Sequence, residues 1–195
     1  IVDETGKVDL NQAEMPLLAA LIRAVGGEPG VSEQLAAAIV DWRDSDPLTQ
    51  PNGGAEDPDY AAAGLPYGAK DAPFESVAEV EQVLGMTPEL YARLEPSLTL
   101  SSGRPQPDPN YAQAPVLRAL GLNPAEYEAR RRGNLPGLAG QALVGAGSGT
   151  YSIDSHVRTT EGREAMLRTV VRAGGGPVPG SAYTTLRWEE AAAPR

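Results

Sequence analysis

The chain contains no cysteine, which excludes disulfide bonds, zinc thiolate sites and cysteine nucleophiles. It has a single histidine, His156, so any Ser-His-Asp arrangement has only one candidate base. Basic residues are also few, because 16 Lys and Arg stand against 26 Asp and Glu and leave a formal net charge of −10. Nucleic-acid backbones and anionic lipid surfaces are both bound through clustered cations. The charge balance therefore disfavours both as partners.

Long apolar runs are missing as well. No stretch of 18 or more apolar residues occurs, so these residues predict no membrane-spanning helix, and no signal peptide is visible. The chain starts at Ile1 without a Met, which leaves open a processed product or a piece of a longer protein. Abundant Gly (22) and Pro (18) indicate a globular, loop-rich chain with short elements.

Helical patterns occupy the first two thirds of the sequence. One helix is predicted to begin near Met15, with Pro16 in its first turn, and to stop at Gly26. A second helix is predicted after Ser32 as its N-cap. The apolar stripe of this second helix consists of Leu35, Ile39 and Trp42.

Three further helix starts carry capping signals. Ser76 and Glu79 form a capping box for a helix that is predicted to end at Gly85. Thr87 and Asn123 are predicted as N-cap residues. Each is followed directly by a proline, Pro88 in the first case, which suits the first turn of a helix. These signals predict a series of short helices.

The last third changes to a period of two, which is typical of strands. Extended runs are predicted over residues 151–157, 165–172 and 183–188, and turn residues separate them. Leu186 and Trp188 fall on one face of the last run and are predicted to pack in the core. Helices first and an antiparallel meander afterwards indicate an α+β fold, with the Gly-rich segment 134–149 as a candidate boundary.

An acidic loop is the densest polar feature of the sequence. Its carboxylates repel one another unless solvent or a cation separates them, and calcium takes about 6–8 oxygen ligands in flexible geometry. An EF-hand is excluded because Leu48 stands where a ligand belongs. Two interpretations remain open, a cation site and a solvated acidic loop. The carboxylates are Asp41, Asp44, Asp46, Glu56, Asp57 and Asp59.

Other motifs give weaker signals. Residues 80–94 resemble half of a helix-hairpin-helix, but Thr87 replaces its second glycine and Arg93 is the one local cation among several glutamates. A packing unit of two helices is therefore favoured over DNA binding. His156 lies in a predicted strand and indicates no catalytic set. The sequence favours a protein that is not an enzyme.

Several linked segments resemble, in order, the K-type minor pseudopilins of the bacterial type II secretion system. The opening DETGK-V-D-LN, from Asp3 to Asn11, is similar to the start of that family, and DWRDSD from Asp41 to Asp46 is similar to its acidic loop. The further similar segments are residues 54–57, 73–77, 83–87, 98–100 and, at the end, Tyr183 to Glu189.

The resemblance implies a pilin-like antiparallel sheet that carries an inserted all-helical domain. The expected limits are residues 1–9 for the first part of the pilin body, 10–134 for the insert and 135–195 for the C-terminal strands. It also implies an N-terminal membrane helix missing from this chain, which makes a single pass through the bacterial inner membrane and leaves this soluble part in the periplasm. The implied position is the tip of the pseudopilus, in complex with the I-type and J-type minor pseudopilins, in pseudopilus assembly and protein export.

The resemblance further implies calcium in the helical domain. Asp44, Asp46, Glu56 and Asp59 are the ligands that it favours, and Asp41 and Asp57 are additional candidates. Two alternatives are a stand-alone calcium-binding interaction module and an acidic hydrolase. A hydrolase predicts a concave pocket holding carboxylates of raised pKa, whereas the pseudopilin predicts exposed carboxylates gathered around a cation.

Overall fold

The structure is a computed structural model that describes residues 1–51, 53–133, 149–160, 162, 164–174 and 182–192. The chain divides into two compact units. One comprises Gly6–Arg130, and the other comprises Ile1–Thr5 together with Arg131–Arg195. Within the described ranges, no helix has the length and apolar character needed to cross a membrane.

The first unit is built of short helices around one apolar core. Its buried side chains run from Val8 to Leu117 in sequence, and Leu18, Leu35, Tyr60 and Leu94 are among the largest. The α-helices are α1 (Met15–Ala24), α2 (Pro29–Arg43), α3 (Asp57–Ala62), α4 (Pro88–Leu94), α5 (Ala114–Ala119) and α6 (Pro124–Gly133).

Helices α1 and α2 form the centre of this unit. α1 begins at Met15, as predicted, and packs its buried face against α2 and α5. It ends where Gly26 adopts a φ of +95°, a left-handed conformation that glycine tolerates. Ser32 was predicted as the N-cap of α2, and this is wrong. The helix begins one turn earlier because Pro29 opens it, and the hydroxyl of Ser32 donates to the carbonyl of Glu28.

Local capping signals locate the next elements. The Ser76–Glu79 capping box is present, and a Glu79 oxygen accepts from the N–H of Ser76 at 2.7 Å. The element that follows is a 3-10 helix, Val77–Gln82, rather than an α-helix reaching Gly85. The hydroxyl oxygen of Thr87 accepts from the N–H of Leu90 at 3.2 Å, which confirms the predicted N-cap of α4.

The first unit is not wholly helical, which corrects the predicted all-helical insert. Two-residue strands β2 (Val8–Asp9) and β3 (Leu98–Thr99) pair in parallel, and a short 3-10 helix occurs at Glu95–Ser97. The carboxylate of Asp9 accepts from the N–H of Gly103 at 2.8 Å, which anchors the chain after β3. This pairing places residues 8 and 9 with the helices, whereas the predicted limits assign them to the pilin body.

The second unit contains a four-stranded antiparallel sheet in the order β1-β4-β5-β6. The strands are β1 (Val2–Asp3), β4 (Thr150–Arg158), β5 (Glu164–Ala173) and β6 (Tyr183–Ala192). The predicted meander of the last third is therefore confirmed. The predicted boundary segment 134–149 lies outside the described residues except for Gly149.

The two faces of this sheet differ in character. Strand register places Ile153, Leu167 and Trp188 on one face, while the ion pair of Asp154 with Arg168 (2.8 Å) lies on the other. The prediction that Leu186 and Trp188 are core residues is wrong, because they are 41% and 58% exposed. A bulge in the β5–β6 pairing between Val170 and Val171 interrupts the alternation that the prediction assumed.

Candidate metal centre

The candidate site lies at the C-terminal end of α2, beside a cluster of aromatic rings. The ring of Trp42 lies 6.0 Å from that of Tyr60, 6.4 Å from that of Tyr67 and 6.3 Å from that of Phe74. Trp42, Tyr60 and Phe74 are buried, whereas Tyr67 is partly exposed. These rings form an apolar base for the acidic residues that precede and follow Trp42.

Asp41 is fully buried and mainly holds the loop in place. Both of its carboxylate oxygens accept from the backbone N–H of Gln50, at 3.1 and 3.2 Å. A Cβ on Gly54 would lie 2.0 Å from the Asp41 Oδ2, so the loop backbone approaches the carboxylate closely. Burial raises the pKa of Asp41 to about 6, although hydrogen bonds from Gln50 and Ala55 counteract it.

Asp44 and Asp46 follow the end of α2. One oxygen of Asp44 accepts from the side-chain amide of Gln50 at 3.4 Å, and its other oxygen is buried without a hydrogen-bond partner. Burial, followed by the charge of Asp46, raises the pKa of Asp44. Asp46 is exposed and accepts from the N–H of Leu48 at 2.9 Å. A free oxygen beside a second carboxylate is an arrangement that a cation stabilises.

Glu56 is the most informative residue of the site. It is 5% exposed, and its Oε1 is buried with no hydrogen-bond partner. Burial raises the pKa of Glu56 to about 7, and the charges of Asp41, Asp71, Asp44 and Asp46 add to this in that order. The Glu56 side chain also accepts from the backbone of Asp59 in the capping box of α3, so only Oε1 lacks a partner. A buried charge among other carboxylates costs free energy unless a proton or a cation neutralises it.

Asp57 and Asp59 have different surroundings from these residues. Both are exposed in the first turn of α3, where acidic side chains offset the helix dipole. One oxygen of Asp59 accepts from the N–H of Glu56 at 3.0 Å. Of the six predicted ligands, Asp41, Asp44 and Asp46 lie near enough to Glu56 for their charges to raise its pKa. Asp59 is instead a capping residue.

Asp71 was missed by the sequence analysis. It lies outside the acidic loop, yet its charge contributes to the raised pKa of Glu56 and of Asp44. Its φ of +53° is the single positive value among the described residues other than glycine. The sequence around it contains no other acidic residue nearer than Glu75, so no local charge pattern indicated this role.

The acidic group has no salt bridge among the described residues, although the charge of Asp44 acts on the pKa of Arg43. In the described part of the chain, none of Asp41, Asp44, Asp46, Glu56 and Asp71 forms an ion pair with Lys or Arg. The neighbouring Arg43 donates instead to the carbonyl oxygens of Leu10 and Ala13. Burial lowers the pKa of Arg43 from its ordinary value.

Carboxylate oxygens that form no salt bridge are ligands that suit a hard cation such as calcium. However, no three acidic or histidine side chains converge on a metal position among the residues that the structure describes. The side chains of Glu56 and Asp44 would therefore have to turn for both free oxygens to reach one ion.

The burial of two carboxylates differs from the exposed set that was expected of a pseudopilin. Asp41 and Glu56 are buried because they flank Trp42 and Tyr60 of the core, whereas Asp46, Asp57 and Asp59 are exposed. Raised pKa values were the feature expected of a hydrolase. Here the causes of the raised pKa values are burial and mutual repulsion. Both are also expected of a cation site that holds no cation. His156 lies on the exposed part of β4.

Comparison with protein families gives an independent finding. The model of the family described as type II secretion system (T2SS), protein K, matches residues 1–103. That range includes the acidic loop, the aromatic rings beside it and Asp71. It ends before α5 and before strands β4, β5 and β6 of the second unit.

Two curated relatives are similar over a shorter range. The type II secretion system protein K of Pectobacterium carotovorum subsp. carotovorum is 37% identical over 76 residues, and that of Klebsiella pneumoniae is 40% identical over 76 residues. Each alignment covers 39% of this chain and 23% of the relative. The chain therefore matches less than a quarter of the length of either relative.

A solved structure resembles nearly the whole chain. It is a chain in the crystal structure of the GspK-GspI-GspJ complex from the type II secretion system of enterotoxigenic Escherichia coli. The TM-score is 0.69 at 20% sequence identity, and the match covers 97% of this chain and 78% of the other. At this identity the match establishes a shared fold.

Proposed function

Because this chain belongs to the type II secretion system protein K family, we propose that it is a minor pseudopilin at the tip of the secretion pseudopilus. Its role is assembly of the pseudopilus and export of proteins, and it is structural rather than catalytic. The observation that carries this proposal is the family match over residues 1–103. The mixed helical and antiparallel fold, shared with a chain of a pseudopilin complex, supports it.

The proposed partners are the I-type and J-type minor pseudopilins. The support is the composition of the complex whose chain shares this fold. A helical domain inserted into a pilin body, over about residues 10–134, would block further subunits from stacking above it. This is the physical reason for a position at the tip.

The proposal includes an apolar helix outside these residues that makes a single pass through the bacterial inner membrane. The present residues then lie in the periplasm. Support comes from the apolar face of the sheet, where Val157, Tyr183 and Trp188 are each more than half exposed. Exposed aromatic side chains on one sheet face are typical of surfaces that another element covers.

We also propose that the acidic group binds calcium. Asp44, Asp46 and Glu56 would supply oxygen ligands, and Asp41 would hold the loop that carries them. The support is the free buried oxygen of Glu56 together with that of Asp44. Calcium would neutralise charges that otherwise repel one another, so its role here is to stabilise the helical unit.

Co-expression with the I-type and J-type minor pseudopilins of the same bacterium tests the assembly role. The three proteins should elute as one complex in size-exclusion chromatography, and deletion of this protein should abolish export of a secreted reporter. A protein that binds calcium but forms no complex, and whose deletion leaves export intact, would instead be a stand-alone calcium module.

A further inference from the structure

We propose that two copies of this chain pair through the outer edge of β6 and form an antiparallel, two-fold dimer. β6 (Tyr183–Ala192) stands at one end of the strand order β1-β4-β5-β6, and no other strand of the described residues pairs with its outer side. An edge strand exposes backbone N–H and C=O groups that a further strand can bond. This inference goes beyond the function proposed above and does not rest on it.

The edge is long and regular enough to accept another strand. β6 has ten residues, and its pairing with β5 is interrupted once, by the bulge between Val170 and Val171. Residues 187–192 follow the bulge in unbroken register. Proline, which commonly blocks an edge, does not occur in residues 183–192. The backbone of β6 therefore leaves strand addition open, and its side chains determine which strand fits.

A row of alternating charges runs across the sheet towards this edge. Asp154 of β4 lies opposite Arg168 of β5, and Arg168 lies opposite Glu189 of β6. Asp154 and Arg168 form an ion pair at 2.8 Å. Opposite charges on facing residues of neighbouring strands stabilise a sheet. The row ends in the negative charge of Glu189, so a strand that continues the alternation presents a cation opposite this residue.

β6 itself supplies that cation. When a second β6 runs antiparallel with the two Trp188 residues opposite each other, Arg187 of each copy lies opposite Glu189 of the other. Within one copy, Arg187 Nε donates to Glu189 Oε1 at 2.7 Å. Each Arg187 then has one Glu189 beside it in its own strand and another across the pair. The two cations and two anions occupy alternate corners of a square, in which neighbours attract.

The charges also select this register over its neighbours. A slide of two residues in one direction places Arg187 opposite Arg187, and the same slide in the other direction places Glu189 opposite Glu189. Like charges directly opposite each other are destabilising. A slide of one residue turns the side chains of one copy to the other face of the sheet. Charges on an edge strand usually oppose strand addition, but here they are self-complementary about Trp188, as a two-fold interface requires.

Trp188 gives the pair an apolar centre on the other face. Its side chain alternates with those of Arg187 and Glu189 along β6 and is 58% exposed. The indole Nε1 donates to Glu190 Oε1 at 3.0 Å, so the polar atom of the ring has a partner within its own strand. In the dimer, the two indole rings lie side by side across the two-fold axis and cover each other, as cross-strand aromatic pairs do.

The net charge of −10 does not prevent this approach. The unit that contains the sheet, residues 1–5 and 131–195, carries eight Arg and seven Asp or Glu, so the excess negative charge lies in the other unit. Exposed charges are largely screened beyond about 8 Å at an ionic strength of about 0.15 M. Two nearly neutral sheet units therefore meet edge to edge with little long-range repulsion.

The test is sedimentation equilibrium of this chain from about 10 µM to about 1 mM, because the dimer fraction rises with concentration by mass action. Arg187→Glu and Glu189→Arg each place like charges opposite each other, so either variant alone should associate about tenfold more weakly. An equal mixture of the two variants restores opposite charges at both positions and should associate as tightly as the original chain. Arg104→Glu and Glu81→Arg are matched controls, since they reverse exposed charges in the first unit and should change nothing.

Hydrogen exchange distinguishes strand pairing from contact through another surface. Amide exchange in residues 183–192 should slow as the concentration of the original chain rises. A chain that stays monomeric over the whole concentration range would overturn the inference. So would dimers that both charge reversals leave intact, or folded variants whose mixture does not associate. If the original chain stays monomeric but the I-type minor pseudopilin slows exchange in residues 183–192, the edge belongs to that partner and the inference is wrong.

Discussion

At the scale of single residues, Glu56 and Asp41 make stability depend on pH. Burial raises the pKa of Asp41 from 3.8 to about 6 and that of Glu56 from 4.5 to about 7. A carboxyl group whose pKa is higher in the folded protein binds its proton more tightly there. Its stabilising contribution is complete below the unfolded pKa and is lost as the pH rises through the folded pKa.

Without calcium, the free energy of unfolding should therefore fall between about pH 4 and pH 7, by about 1–3 kcal/mol for each group. Glu56→Gln should raise the free energy of unfolding at pH 7.5 in the presence of a chelator, because it removes the repulsion, and should flatten the pH dependence. Urea unfolding at pH 5 and pH 7.5 measures both effects, with Glu81→Gln as the control. A Glu56→Gln chain that is less stable than the original at pH 7.5 would contradict this account.

Gly54 is a second residue whose role is local and steric. An added Cβ would lie 2.0 Å from Asp41 Oδ2 and 2.7 Å from the N atom of Gln50, and the backbone atom has no room to move aside. Gly54→Ala should cost about 1–3 kcal/mol, as is usual for overpacking. Gly30→Ala is the control, because nothing lies within 4 Å of its added Cβ in the first turn of α2. Thermal melts in chelator should show a lower Tm for Gly54→Ala than for the original chain. The Tm of Gly30→Ala should equal or exceed that of the original chain.

At the scale of elements, single capping residues decide where several helices begin. Thr87 accepts from the N–H of Leu90 at the start of α4, and the helix packs through its buried Leu90 and Leu94. Thr87→Ala should lower the free energy of unfolding by about 1 kcal/mol, because one N–H of the first turn loses its partner. Thr87→Ser keeps the hydroxyl and should retain most of this stability. Equal urea midpoints for the two variants would show that the cap contributes nothing.

At the scale of the whole molecule, the apolar core lies within one of the two units. Every member of the main buried cluster falls between Val8 and Leu117, while Val170 is the buried apolar residue of the sheet. A fragment of residues 6–130 retains that entire core. It should fold alone, with a helical circular dichroism spectrum and a cooperative thermal transition. If calcium binds as proposed, it should raise the Tm of the fragment and of the longer chain alike. A fragment without a cooperative transition would show that the sheet is needed for folding.

The sequence by itself determined the features that depend on neighbouring residues. Pro16 in the first turn of α1, the Ser76–Glu79 capping box and the Thr87 cap are local signals, and the structure has all three. The period of two likewise predicted strands β4, β5 and β6. The crowding of acidic residues after α2 was visible because they are close together in the chain.

Only the tertiary structure decided the features that join distant residues. The parallel pairing of Val8 with Leu98, the burial of Glu56 and the approach of Asp71 all depend on contacts that residue spacing does not encode. The exposure of Trp188 is also a tertiary property, because alternation along a strand fixes which side chains share a face. It does not fix whether anything packs on that face.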